Sequence, residues 1–347
     1  MLHFSGIGTY LQELLPRLCS GSKDSWAAAC YPEDASKLAQ WGIHPIPWQQ
    51  PIYSPKAAVL ARTALPSCNT YWSPHFNLPL LLPRHQKAVV TIHDLFHLDQ
   101  GFRIPFHQRL YARLLLANAA RQASTVMTVS EFSASRIRHY FPDCSDKIRV
   151  AHNGIPSWLA FPQTQAPDPL VTNKPFVLIV GNVKPHKNIS NAIKAFSLLL
   201  QHKPEFDLVV VGKREGMLNS DINFELSEDL RTKIHFTGFI SQSTLIEYYR
   251  KSSLFLFPSL YEGFGLPVLE AAALGARVCC SDIAPCREIA QGRVLYFDPT
   301  SPESMAGCMA QTLSTPHLAN EELSSWLSAF SWENAASIHR EVLHVKQ

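Results

Sequence analysis

Residues 253–281 read SLFLFPSLYEGFGLPVLEAAALGARVCCS, and this stretch decides the fold. Leu254 to Phe257 is an apolar run of the length of a buried strand. A turn rich in Gly and Pro follows, and Val268 to Leu274 has the character of a short helix closed by Gly275. The order is strand, loop, helix, strand.

Two carboxylates flank the turn, Glu262 and Glu270. If Gly263, Phe264 and Gly265 open the helix, its first N–H groups and the positive end of its dipole form a site suited to a phosphate. Glu262 then stands on the rim, with Glu270 one and a half turns into the helix, about 10 Å away. Carboxylates on loops and helices are commonly just solvated. Glu270, however, lies between Val268-Leu269 and Ala271-Ala272-Ala273, a lone charge in an apolar helix that needs a partner.

The text SLYEGFGLPVLEAAALG resembles the E-x7-E element of glycosyltransferase family 4, the GT-B fold glycosyl transferases of group 1. The resemblance implies that Glu262 contacts the donor sugar, that Glu270 binds the nucleotide ribose, and that the backbone of Phe264, Gly265 and Leu266 holds the phosphates. It also implies an α/β architecture of two Rossmann-like doubly wound domains facing across a cleft.

A chain of 347 residues exceeds what one hydrophobic core usually supports, and 46% apolar residues suffice for two. A net charge of +3, with no Lys/Arg-rich run, argues against a nucleic-acid partner. The eight cysteines show neither a CxxC pair nor zinc-like spacing, which fits buried thiols in a reducing compartment. With neither a signal peptide nor an apolar run long enough to span a membrane, a cytoplasmic protein is expected.

In chain order, Gly6 and Gly8 lead into an amphipathic helix carrying Leu11, Leu14, Leu15 and Leu18. A GxG turn binds phosphate when a strand delivers it, but only Leu2, His3 and Phe4 stand before Gly6. The first strand is therefore expected to be missing, and the glycines are either a donor-binding loop or a plain tight turn. Val89 to Ile92 reads as a buried strand with His93 and Asp94 at its C-terminal end, where ligands bind in parallel sheets. His93 is either bonded to a turn or, as the resemblance implies, close to the donor sugar. Residues 102–122 form a helix with Leu110, Leu114 and Leu115 expected inward and Arg103, Arg109, Arg113 and Arg121 outward. That basic face is either solvated or a peripheral contact with an anionic membrane.

Domains are expected at 1–160, for the acceptor, and 174–330, for the nucleotide sugar, with 331–347 a terminal helix crossing back and Trp332 in its core. The second domain restarts with FVLIVG, a loop and helix, then DLVVVG, a βαβ unit. Its loop GNVKPHKNIS places Lys184, His186 and Lys187 before a helix N-terminus, where cations are unfavourable unless an anion neutralises them. The resemblance assigns the donor diphosphate to Lys187. Where some relatives have an Arg this chain has Asn182, and Lys184 is the substitute expected. KIHFTGFIS supplies a strand and glycine loop where the family packs the nucleobase.

The resemblance implies a retaining transferase that moves a hexose from a nucleotide diphosphate sugar to a saccharide or lipid-linked acceptor in surface glycan synthesis. GDP-mannose is favoured over UDP-glucose, no cofactor or metal is called for, and no Asp-x-Asp pattern of that use is seen. A non-catalytic or truncated sugar-nucleotide-binding relative, or an epimerase or phosphorylase on the same fold, are the alternatives.

Overall fold

The computed structural model of the protein describes residues 2, 5–51, 56, 61, 63, 65–80, 82, 87–100, 105–160, 167–213 and 227–344. The chain forms two compact units, Met1–Gly154 with Phe330–Gln347, and Ile155–Ala329.

In the second unit the strands are β7 (Phe176–Val180), β8 (Asp207–Val211), β9 (Ile234–Gly238), β10 (Leu254–Phe257), β11 (Val278–Ser281) and β12 (Leu295–Phe297). They form one parallel sheet in the order β12-β11-β10-β7-β8-β9. Every residue of β8, β10 and β11 is buried, as expected of strands covered on both faces, and their Leu, Val, Phe and Cys side chains fit such positions. The Ile189–Leu200 helix buries Ile189, Ala192, Ile193, Phe196 and Leu199 at helical spacing. These side chains join Val177, Val210, Leu256 and Met309 in one core.

That strand order positions the site. From β7 the chain proceeds outward through β8 and β9, then returns to β10 on the other side of β7 and proceeds outward through β11 and β12. The loops leaving β7 and β10 therefore diverge from neighbouring strands. This is the switch point of a doubly wound sheet, where ligands bind beyond the strand C-termini.

In the first unit, β3 (Thr70–Ser73), β4 (Lys87–Ile92), β5 (Thr125–Thr128) and β6 (Ile148–Val150) form a parallel sheet in sequence order. Beside it stands a two-stranded parallel sheet of β1 (Trp26–Cys30) and β2 (Ile43–Pro47). β2 reads IHPIP and carries two prolines, which strands seldom hold. Pro45 and Pro47 are admissible there because a sheet of two strands has only edges. The terminal Trp332–Leu343 helix packs on the Ser5–Cys19 helix, and Trp332 is buried.

Two sequence expectations change here. Gly6 and Gly8 do not form a turn ahead of a helix: they lie in the first turns of the Ser5–Cys19 helix itself, neither with positive φ. The expectation of a missing first strand falls on Met1, His3 and Phe4, outside the described residues. Leu110 and Leu114 face outward, not inward, because the Phe106–Gln122 helix buries Ala112, Leu115, Leu116, Ala119 and Ala120. Small alanines on that stripe allow close packing, so burial follows the stripe that fits rather than the one with the largest side chains. Arg103 lies outside the described residues, while Arg109, Arg113 and Arg121 are exposed.

Between the domains expected at 1–160 and 174–330, residues 161–166 are outside the described residues. Downstream of them, the backbone N–H groups of Asp168 and Val171 donate to Thr244 Oγ1 and Tyr248 Oη of the Gln242–Lys251 helix. This part of the connection is thus fastened to the second unit.

Candidate active site

The loop after β7 begins with Gly181 and continues through a 3-10 turn at Pro185–Lys187 to Asn188, the N-cap of the Ile189–Leu200 helix. Asn188 takes a left-handed conformation with φ of 58°. Its buried side-chain amide donates to the carbonyls of Pro258 at 3.0 Å and Pro299 at 2.7 Å. The backbone N–H of Leu260 donates to His186 O at 2.8 Å. Three bonds thus fasten the β7 loop to the loops after β10 and β12.

This fastening brings Lys187 to Glu262. Lys187 Nζ donates to Glu262 Oε1 at 2.5 Å and stands 5.7 Å from the centroid of the Phe257 ring at the end of β10. Both side chains are mostly but not fully covered, at 20% and 15% exposure, so the pair keeps access to solvent. An ammonium and a carboxylate at the lip of a parallel sheet, above an aromatic ring, can hold a ligand that is anionic at one end and hydroxylated at the other.

The helix that follows runs Leu266–Ala273 with Gly265 as its N-cap. Gly265 has φ of +113°, so the conformation requires glycine, and a Cβ there would also press on the Ile289 Cδ1 methyl at 2.8 Å. The Phe264 side chain is buried, which leaves its backbone as the part able to meet a ligand. One turn on, Glu270 is 8% exposed and has the partner its apolar surroundings demand: Tyr249 Oη donates to its Oε2 at 2.8 Å. Burial raises the Glu270 carboxyl to about 7 against the opposing pull of that bond. Burial and the neighbouring carboxylate together hold the Tyr249 phenol well above its ordinary value.

Asn182 and Lys184 are placed differently. Asn182 Oδ1 accepts from the backbone N–H of Lys213 at 3.3 Å, bracing the loops after β7 and β8. Lys184 is exposed, at the N-cap of the 3-10 turn. Lys187, Glu262 and the Gly265 helix start are thus gathered around the ends of β7 and β10, and Asn182 faces toward β8.

His93, in the first unit, follows β4. Its Nε2 lies 2.9 Å from Pro74 O, and since a carbonyl only accepts, Nε2 carries the proton and Nδ1 is the acceptor. Burial lowers its basicity, with the Pro74 carbonyl and Asp94 opposing, which agrees with a neutral ring. The Tyr10 ring packs edge-on against His93 with centroids 4.8 Å apart. Tyr10 belongs to a directional chain: Trp72 Nε1 donates to Thr91 Oγ1, Thr91 meets Tyr10 Oη at 3.1 Å, Tyr10 Oη meets His339 Nε2 at 2.6 Å, and His339 Nδ1 meets Ala335 O at 2.6 Å. The Ala335 carbonyl puts a proton on Nδ1, and because burial keeps the ring neutral, Nε2 accepts from Tyr10, whose hydroxyl accepts from Thr91. Burial holds His339 down at about 4 accordingly.

Two family models match the chain. Glycosyltransferase Family 4 covers residues 38–157, and Glycosyl transferases group 1 covers residues 161–324. The chain belongs to the glycosyl transferases of group 1. It is 28% identical over 279 residues to O-antigen chain mannosyltransferase B of Escherichia coli, spanning 77% of this chain and 72% of that protein. To O-antigen chain mannosyltransferase RfbU of Salmonella typhimurium it is 26% identical over 294 residues, 84% of this chain and 77% of that one. Among solved structures, a glycosyltransferase from Rickettsia africae superposes with a TM-score of 0.71 at 15% identity, covering 99% of this chain and 96% of that chain. The architecture is therefore the GT-B α/β fold of these transferases.

Three residues of this candidate site escaped sequence reasoning. Tyr249 lies 21 positions before Glu270 in a helix that reads as ordinary, and Phe257 is indistinguishable from other strand residues. Asn188 did carry a signal, since Asn is among the few residues that adopt the left-handed conformation before a helix.

Proposed function

We propose that the protein is a retaining hexosyltransferase that moves mannose from GDP-mannose to a saccharide or lipid-linked acceptor in surface glycan synthesis, with UDP-glucose the second choice of donor. The observation that carries this reading is the Lys187–Glu262 pair at the switch point between β7 and β10. Mannose is favoured because the O-antigen relatives are named mannosyltransferases.

In this reading Lys187 leaves Glu262 for the diphosphate, helped by Lys184 and the amides of Phe264, Gly265 and Leu266, and stabilises the charge that develops as the phosphate departs. Glu262, released, accepts from sugar hydroxyls, and Glu270 accepts from the ribose. In the same reading the base packs against the exposed ring of Phe239, which follows Gly238 at the end of β9. His93, protonated on Nε2, offers Nδ1 to a sugar hydroxyl. The leaving phosphate oxygen takes the acceptor's proton, the new glycosidic bond forms on the face from which the phosphate leaves, and configuration is retained. The neutralising charge comes from lysine and helix amides, so the reading needs no metal. The protein works in the cytoplasm, peripheral to the membrane that carries a lipid-linked acceptor.

The test is to supply GDP-mannose and UDP-glucose with and without a lipid-linked or saccharide acceptor and to measure the free nucleoside diphosphate and the glycoside. Release of GDP only when acceptor is present supports the proposal. Binding of nucleotide without turnover would point to a non-catalytic relative, and acceptor-independent conversion of the donor to an epimerase.

A further inference from the structure

Tyr10 of the Ser5–Cys19 helix touches two residues at the end of β4 at once. Its hydroxyl meets Thr91 Oγ1 at 3.1 Å, and its ring stands edge-on to the His93 imidazole with the planes at 86°. Residues two apart in an extended chain project to one side, so one tyrosine covers both. Tyr10, Thr91 and His339 are each at most 1% exposed, whereas His93 is half-buried. Three restraints act on His93. Ser133 Oγ donates to its backbone carbonyl at 3.0 Å, its own Nε2 donates to Pro74 O, and the Tyr10 ring closes one side of the imidazole. The third restraint is itself anchored 329 positions away, on the terminal helix, by the 2.6 Å bond from Tyr10 Oη to His339 Nε2.

We propose that Tyr10 and His339 are positioning residues for His93, the terminal helix fixing through them the orientation in which the imidazole presents Nδ1 to a ligand. Packing alone does not ask for this arrangement. Phenylalanine and leucine would fill the two places without burying a hydroxyl and an imidazole, and partnered polar groups gain little net stability over apolar ones of like shape. What the polar chain adds is a single direction. Trp72 donates to Thr91, Thr91 to Tyr10, Tyr10 to His339 and His339 to Ala335 O, so each hydroxyl gives once and accepts once and the Tyr10 ring has one place to lie. A ring free to tilt would let the imidazole turn away from Pro74, and a misplaced group loses rate steeply. The inference rests on the reading of His93 as a group that meets the donor sugar, and deepens it.

The test compares Tyr10→Phe, His339→Leu and His339→Gln in the full chain carrying isotope-labelled histidine. Heteronuclear NMR of the ring nitrogens is expected to show His93 of the wild type as one tautomer protonated on Nε2, and in Tyr10→Phe and His339→Leu as doubled or broadened signals. His339→Gln, which keeps an acceptor for the Tyr10 hydroxyl, should restore the single set. With GDP-mannose and an acceptor, Tyr10→Phe and His339→Leu should lower kcat about 5- to 10-fold with donor KM changed less than about twofold, and neither should lower it further in a His93→Ala background. Wild-type His93 signals in Tyr10→Phe and His339→Leu overturn the proposal whatever their rates, since a network serving stability alone would lower the unfolding midpoint and leave that ring unmoved. So do losses that add in full to that of His93→Ala. Wild-type turnover by His93→Ala, with altered His93 signals in Tyr10→Phe, would instead refute the role of His93 in transfer, and the positioning role with it.

Discussion

Lys187 Nζ and Glu262 Oε1 lie 2.5 Å apart although 75 positions separate the two residues in the sequence. They follow β7 and β10, which are hydrogen-bonded neighbours in the sheet, so the pair exists because the chain comes back to lay β10 beside its first strand. Its partial exposure matters as well. A fully buried pair would be too costly to open, whereas this one can exchange its internal bond for bonds to a ligand.

The first prediction concerns that exchange. Lys187→Ala and Glu262→Ala should each lower turnover by about 100-fold or more, while circular dichroism and unfolding midpoints change little. The double variant should lose much less than the product of the single losses, because each single change also disturbs the partner left behind. Wild-type rates in both single variants would refute the roles given to the two residues.

Tyr249→Phe removes the hydroxyl that donates to Glu270. With burial then unopposed, the Glu270 carboxyl should move above its present value of about 7 and hold a proton at neutral pH. The expected result is a donor KM raised about 3- to 10-fold with kcat less affected, and recovery of KM as the pH is raised. A residue acting only in packing would alter stability without that pH-dependent recovery.

Glu270 also gives a signed prediction for stability. Its folded value of about 7 lies above its ordinary value of 4.5, so the native state holds the proton more tightly than the unfolded chain. Its contribution is present in full below about pH 4.5 and is lost as pH rises through about 7, a change on the order of 3 kcal/mol. Between about pH 5 and pH 8 the ligand-free wild type should therefore lose more thermal stability than Glu270→Gln. Donor affinity should run the other way and strengthen over the same range, since the ionised carboxylate is the better acceptor for ribose hydroxyls. Parallel melting curves for wild type and Glu270→Gln would contradict this account.

Asn188 contributes both a left-handed backbone and two side-chain bonds to carbonyls. Asn188→Ala should cost about 2–4 kcal/mol, combining backbone strain with two carbonyls left without their donor. Asn188→Gly should cost less, because it relieves the strain and loses only the bonds. Denaturant unfolding measures both, and equal costs would show that the backbone conformation carries no share.

Much of the second unit was legible. The runs at β7, β8 and β10 are apolar for four or five residues because both faces of a parallel strand are covered, and such runs stand out from their surroundings. Glu262 and Glu270 drew notice as charges set in glycine-rich and apolar surroundings, and Lys187 as a cation standing just before a helix N-terminus. The first unit was less so. The Phe106–Gln122 helix has apolar residues on two stripes, and periodicity alone does not tell which one the sheet will cover. The two glycines near the start were read as a turn, yet glycine also accepts helical angles, and here it does.

The sequence by itself determined most local elements of the second unit, the parallel α/β class and the residues that are candidates to meet an anion, since these follow from side-chain chemistry over a few neighbouring positions. Only the tertiary structure decided that Lys187 meets Glu262, that Tyr249 supplies the hydrogen bond to Glu270, and that Leu110 and Leu114 face out. Each of these depends on which strand lies beside which, or on which face of a helix a sheet covers. Those outcomes are set by packing between distant segments, and no local pattern encodes them.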